Sequence, residues 1–256
     1  MIRLAINGGA GRMGQAMAEG LSVFDDISLV ALVDSHEPRE LFGARWARSV
    51  DELSDTSISH VVDFSNSDAI PSLSLWCAAN KVSLVTGTTG LNADQRAQLA
   101  KAGTVTSVVL ASNFSLGAVL SERFAAMAAP YFPRAEIIEL HHDKKLDAPS
   151  GTSLTTAKAI DDARAVAGLP RFDDMTERQT IPGARGAQSA GGVHIHSVRL
   201  PGLVAHQEVI FGGPGEGLTI RHDSFDRTSF VQGVALALRG VNGSPQFIHG
   251  IESFLA

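Results

Sequence analysis

In the first hundred positions apolar residues come in short, nearly unbroken runs. Arg3–Asn7, Ser28–Val33, His60–Phe64, Ser83–Thr86 and Thr106–Leu110 are rich in Val, Ile and Leu. Runs that are apolar on both faces suit strands covered on both sides. Between them, apolar spacing predicts helices at Met13–Leu21, Asp68–Ala79 and Ala93–Ala102. Strands alternating with helices predict an α/β domain, a doubly wound parallel sheet. The rhythm changes near Asn113. A helix over Leu116–Ala128 leads to a strand at Glu136–His142 and a helix from about Gly151 to Val166. Leu169–Gly192 carries Pro170, Pro182, Gly183, Gly186, Gly191 and Gly192 and predicts a long loop of the kind that serves a site or an interface. Val193–Leu200, Val204–Phe211 and Leu218–His222 then predict an antiparallel meander. A closing helix over Ser229–Leu238 is expected to return to the first domain. The expected layout is a first domain of residues 1–113 and 227–256, with an α+β domain of residues 114–226 inserted in it.

Composition narrows the function classes. The chain has 256 residues, 44% hydrophobic and 19% charged, which is globular and rich enough in apolar residues to fold without a disulfide or metal staple. Its net charge of −6 argues against a nucleic-acid partner, since phosphate contacts need a basic face. The one cysteine, Cys77, lies in an apolar run and reads as a core residue. A reducing, cytoplasmic setting is therefore expected. No stretch of about 18 apolar residues exists for a membrane helix, and the start is too short for a signal sequence.

Asn7-Gly8-Gly9-Ala10-Gly11-Arg12-Met13-Gly14 lies between the first strand and the first helix. Gly9, Gly11 and Gly14 fit G-x-G-x-x-G, and Gly8, Gly11 and Gly14 fit a looser spacing. One glycine permits the tight turn, one lets backbone approach a pyrophosphate, and one lets helix and strand pack closely. The pyrophosphate then meets the free N–H groups and positive dipole end of the helix. Asp34, at the end of the second strand, stands where an acid binds ribose hydroxyls. A purely structural glycine turn is the alternative, and the N-terminal strand–turn–helix placement speaks against it.

The segment from Glu139 to Thr152 packs His141, His142, Lys144 and Lys145 between a strand and a helix start. Ser150 is a good N-cap, and the first turn at Gly151 and Thr152 would offer its amides to a carboxylate. Lys145 would add positive charge beside it. The adjacent histidines point to opposite faces if extended, so one partly buried and one solvated histidine is the plain reading. No partner ligands accompany them at zinc spacing, and no G-x-S-x-G elbow supports a serine hydrolase.

The run His141-His142 … Lys145 … Asp147-Ala148-Pro149-Ser150-Gly151-Thr152 resembles the signature of dihydrodipicolinate reductases of the lysine and diaminopimelate pathway. The resemblance extends to Gly8–Gly14, Asp63-Phe64-Ser65, Gly87-Thr88-Thr89-Gly90, Ala111-Ser112-Asn113-Phe114-Ser115 and Gly215-Glu216 … Thr219-Ile220-Arg221-His222. It implies a Rossmann-like sheet with an inserted substrate and oligomerisation domain holding a mixed sheet. It also implies reduction of a dicarboxylate cyclic imine with NADH and/or NADPH, in a homotetramer, with no metal. Residue by residue, it implies that Gly8, Gly9, Ala10, Gly11, Arg12 and Met13 hold the pyrophosphate and Asp34 the ribose. Gly87, Thr88, Thr89, Ala111, Ser112, Asn113 and Phe114 would line the cofactor near the nicotinamide. His141 and Lys145 would be the proton donors, and His142, Gly151 and Thr152 would bind substrate. Ser35 and His36 follow Asp34, and Asn66 follows Asp63-Phe64-Ser65, where some members carry a basic residue. Nucleotide preference therefore stays open, with NADH expected to serve at least as well as NADPH. Two rivals remain: an aspartate- or homoserine-type dehydrogenase, which would not require the His-His … Lys … Ser-Gly-Thr run, and a non-catalytic nucleotide sensor.

Overall fold

The computed structural model describes residues 1–53 and 57–255. Strands β1 (Ile2–Asn7), β2 (Ile27–Val33), β3 (Arg45–Ala47), β4 (His60–Asp63), β5 (Ser83–Thr86) and β6 (Ser107–Leu110) join β12 (Gln246–His249) in one sheet, ordered β12-β6-β5-β4-β1-β2-β3. All its pairings are parallel. β4, β5 and β6 are buried along their whole length, which is why they read as near-continuous apolar runs. Helices α1 (Arg12–Leu21) and α6 (Val231–Gly240) pack together, as do α2 (Ile70–Asn80) and α3 (Ala93–Ala102). These elements form one compact unit, Met1–Leu116 with Arg227–Ala256.

Two edge strands escape the sequence reading. β3 is three residues long, and β12 reads Gln-Phe-Ile-His after a Gly-Ser-Pro break, so neither gives an apolar run. The chain therefore closes on an edge strand rather than on the α6 helix, with β12 parallel to β6. Strand order reverses between β1 and β4. The crevice at the C-terminal ends of such neighbours is where open α/β sheets bind ligands.

The second unit spans Gly117–Asp226. It contains α4 (Leu116–Ala128), β7 (Arg134–His141), α5 (Gly151–Val166), β8 (Ala187–Gln188), β9 (His194–Arg199), β10 (Ala205–Gly213) and β11 (Glu216–Ser224). Its sheet is mixed, in the order β11-β10-β7-β9-β8. β10 runs antiparallel to β7 and β11, whereas β9 runs parallel to β7. The predicted meander is thus correct only for β10 and β11, because β7 separates β9 from β10. The α5 crossover brings β9 in parallel on one side of β7. The chain at Leu200–Val204 then bridges two strand spacings of about 4.8 Å each to start β10 on the other. Leu200 N donates to His141 O (3.1 Å) on the way, and Ala205 pairs opposite His141. The core under this sheet joins Ala135 and Ile137 of β7 with Val209 and Phe211 of β10 and with Ala157 and Ile160 of α5. The long segment before β9 is tied down at Gly191, whose N–H donates to Asp161 on α5 (2.8 Å), and at Phe172, over which Arg164 stacks.

Candidate active site

In the first unit the glycine turn connects β1 to α1, and its geometry shows why glycine is needed. Gly8 has φ of +81°, and a Cβ there would lie 2.8 Å from Phe64 O. At Gly14 a Cβ would lie 2.1 Å from Gly8 O, so helix and turn could not close up. Ala10 N donates to Asp34 Oδ2 (3.0 Å), and Asp34 Oδ1 accepts from His36 N (3.1 Å). The carboxylate is thereby pinned at the end of β2, beside the turn, with lone pairs to spare. A cleft of about 440 Å³ opens here, lined among others by Gly8, Gly11, Asp34, Ser35 and Arg48. A bare glycine turn, a helix N-terminus and a fixed acid fit the pyrophosphate and ribose of a dinucleotide. Arg12 begins α1 and is exposed, and Met13 is partly buried.

Asp63, fully buried at the end of β4, organises the neighbouring strand ends. Its Oδ1 accepts from Asn7 Nδ2 (2.8 Å) and Ser65 Oγ (2.5 Å), and its Oδ2 from Thr86 Oγ1 (2.7 Å) and Thr88 Oγ1 (2.8 Å). Gly87 N donates to Asp63 O (2.9 Å), so the turn Gly87–Thr89 is fixed by β4. Thr88, Thr89 and Ser112 line a second cleft of about 410 Å³. Ala111 and Phe114 are buried instead, Phe114 edge-on to Phe64 at 5.7 Å. Asn113 Oδ1 accepts from Ser115 N (2.9 Å).

In the second unit a cluster of ionisable side chains gathers at the end of β7. Alternation along the strand puts Ala135, Ile137 and Glu139 on its buried face, and His141 follows in line. Glu139 is fully buried. It accepts from His141 Nδ1 (2.5 Å), from both guanidinium nitrogens of Arg199 (2.8 Å each) and from Ser150 N (3.2 Å). Burial pushes its carboxyl up, but the hydrogen bonds from Arg199, Ser197 and His141 outweigh that and hold it below the usual range. For His141 burial dominates and lowers its pKa; Glu139 opposes this, while Lys145 and Arg199 add to it. His142 is exposed, so the two neighbours do face different surroundings.

Ser150 caps α5 by accepting from Ser153 N (3.2 Å). Ser153 Oγ donates to Gln207 on β10 (2.7 Å), fixing the helix start over the sheet. A Cβ at Gly151 would meet nothing within 4 Å, so the first turn faces open space, where an anion is favoured. Lys145 does not stand free beside it, as its Nζ donates to Asp147 Oδ1 (2.8 Å). Arg199 Nη2 also donates to Asp147 O (2.7 Å), so this turn, the strand end and the helix cap form one network.

The sequence assigned no role to Glu139 or Arg199, and quoted Asp63 only as part of a family block. The signal for Glu139 was available, as a carboxylate on the apolar face of an alternating strand. Nothing local pointed to Arg199, whose place depends on β9 lying beside β7.

Models of known families match both units. A model described as dihydrodipicolinate reductase, N-terminus, matches residues 2–114, and the corresponding C-terminus model matches residues 117–255. A 4-hydroxy-tetrahydrodipicolinate reductase from Cutibacterium acnes is 46% identical over 260 residues, covering 100% of this chain and 99% of that protein. One from Mycobacterium ulcerans is 45% identical, covering 99% of each. Among solved structures, a dipicolinate-bound dihydrodipicolinate reductase from Paenisporosarcina sp. TG-14 superposes with a TM-score of 0.88 at 37% identity, covering 100% of both chains. A myo-inositol 2-dehydrogenase from Lactobacillus plantarum shares the fold alone, with a TM-score of 0.63 at 14% identity over 99% of this chain and 93% of that one.

Proposed function

The chain belongs to the dihydrodipicolinate reductase family, and from that premise we propose that it reduces a dihydrodipicolinate-type cyclic imine to tetrahydrodipicolinate in lysine and diaminopimelate biosynthesis. The observation that carries this reading is the cluster at the end of β7, where His141, Lys145 and the capped start of α5 surround one turn of chain. Relatives of the same family name, one of them bound to dipicolinate, support a small dicarboxylate as the ligand.

The first unit is the dinucleotide-binding domain in this proposal. Gly8–Met13 hold the pyrophosphate on the α1 start, and Asp34 accepts from the ribose hydroxyls. Gly87–Thr89 and Ala111–Phe114 shape the nicotinamide side. The chemistry supplied by the bound dinucleotide is hydride donation to the substrate ring. The second unit is the substrate domain. Gly151 and Thr152 receive a carboxylate at the helix start, and His142 contributes from the exposed side. Lys145 exchanges Asp147 for substrate carboxylate. His141 and Lys145 hold the proton that the reduced ring must gain. The positive charge of Lys145 also stabilises the negative charge that builds up there.

NADH serves at least as well as NADPH, because Asp34 repels a 2′-phosphate. The protein acts as a homotetramer through the second sheet. Residues of helices α4 and α5 pack on one face of that sheet, while Ile138, Leu140 and Ile210 remain partly exposed on the other. The deciding experiment is NADH oxidation, followed by absorbance, with freshly made cyclic imine. Steady turnover is expected, and none with aspartate semialdehyde or with oxaloacetate plus ammonia. Turnover of those alone would favour the other dehydrogenases.

A further inference from the structure

Glu139 has no role in the reaction described so far, yet its carboxylate collects hydrogen bonds from His141, Ser150 and Arg199 at the strand end. As a buried carboxylate held by the two-pronged contact of Arg199, it can only accept. The 2.5 Å contact with His141 Nδ1 therefore requires a proton on Nδ1. A neutral imidazole carries one N–H, so Nε2 must be bare and is the only ring atom left to gain or lose a proton. The remaining bonds fix the carboxylate itself. Ser150 N ties it to the cap of α5, and Arg199 ties it to the carbonyl of Asp147, whose side chain holds Lys145. Among the described charged groups facing His141 are Glu139 on its own strand, Arg199 from β9, and Lys145 with Asp147 from the following turn. β10 opposes it with the uncharged Ala205.

We infer that Glu139, braced by Arg199, is the positioning residue of this site: it fixes His141 as the Nδ1–H tautomer, so that Nε2 carries the exchangeable proton. Arg199 sets the strength of that hold. The Arg199 charge disfavours a second cation on the neighbouring ring; once it is removed, His141 is the remaining cationic partner of the Glu139 carboxylate and the protonated ring is favoured. The inference rests on the reading of His141 as a proton donor. Its structural half is testable without substrate or cofactor.

The experiment is nitrogen-15 NMR of the histidine rings of the full chain across a pH titration, with the His141 signal identified by its loss in His141→Gln. In the wild type the neutral ring should show a protonated Nδ1 and a bare Nε2. Glu139→Gln should mix the tautomers and move the midpoint to lower pH by about one unit. Arg199→Met should move it to higher pH. The alkaline limb of kcat should follow in the same two directions. A merely structural role would lower kcat without moving the limb, and opposite shifts from one buried pair cannot arise from general damage. A wild-type ring protonated on Nε2 overturns the inference outright, even if neither variant folds. An unmoved midpoint in a folded Glu139→Gln overturns it as well. Expected ring shifts beside an unmoved kcat limb would instead remove His141 from the donor role, and with it the functional half of the inference.

Discussion

At the level of single side chains, the site depends on which charges are held and by what. His141 and Lys145 are each bound to a carboxylate, one buried and one exposed. His141→Gln and Lys145→Ala should each lower kcat by about 10²-fold or more, since general acid assistance is typically worth about 10²–10⁴-fold. NADH binding, measured by fluorescence titration, should be unaffected, because neither residue belongs to the glycine-turn unit. Burial lowers the pKa of His141 in the free chain. A dicarboxylate at the α5 start adds negative charge and raises it. With protonated His141 as the proposed donor, activity should be lost as pH rises through that pKa. The alkaline fall in kcat/KM, which reports the free enzyme, should therefore begin at lower pH than the fall in kcat. Coincident limbs would count against a carboxylate beside His141. In the other unit Arg48 lines the Asp34 cleft and stacks on Trp46, whose indole N–H donates to Asp34 O (2.9 Å). Arg48 lies beside Asp34 and Ser35 in that lining. Arg48→Met should weaken NADPH binding by about tenfold while leaving NADH unchanged, as loss of one charge-assisted contact would. Equal losses for both nucleotides would rule out a phosphate-specific role.

Helices and strands set those side chains through their ends. Two helices begin on glycine-containing turns, and the two turns are built differently. In the first turn of α1, Gly14 sits against Gly8 O with no room for a methyl group. At the start of α5, Gly151 faces open space. Gly14→Ala should therefore destabilise the protein by about 1–3 kcal/mol in urea unfolding and weaken NADH binding, because backbone must shift. Gly151→Ala should leave stability within about 0.5 kcal/mol. It should instead raise KM for the dicarboxylate, because the methyl occupies space that the ligand needs. The reverse pattern would mean that the α5 start is not a ligand site. β7 supplies the second lesson at this scale. Its apolar face was legible from Ala135 and Ile137, but Glu139 continues that face as a charge. Only the pairing of β7 with β9 gives the charge its partner, because register sets His141 opposite Arg199.

For the molecule as a whole, the first unit is discontinuous in sequence. Its sheet ends on β12, and the residues after it bury Ile251 fully. Gly250 N donates to Leu110 O (2.9 Å), so the last segment also completes the edge of β6. Ending the chain after Val241 should therefore abolish cooperative unfolding of that unit and NADH binding together, as read by circular dichroism and fluorescence titration. Retention of both would show that β12 is dispensable. Light scattering on the intact chain checks the proposed homotetramer, with a mass four times 26.9 kDa expected.

Local order along the chain was enough for the elements whose patterns are self-contained. Val-, Ile- and Leu-rich runs must be strands covered on both faces, a glycine turn between strand and helix suits a phosphate, and Ser150 before Gly151 must cap a helix. The blocks around His141 and Gly87 gave the family by resemblance. What needed the third dimension was everything that depends on neighbours distant in sequence. β3 and β12 are strands because an edge of the sheet offers them backbone partners, not because their side chains are apolar. β9 lies beside β7, rather than β10, because the α5 crossover brings it in parallel. The buried charges are of the same kind. Asp63 and Glu139 carry no sign in the sequence of which groups they meet, and a buried carboxylate is tolerable only when donors converge on it. Those donors come from up to 60 positions away, as Arg199 does for Glu139, and only folding brings them together.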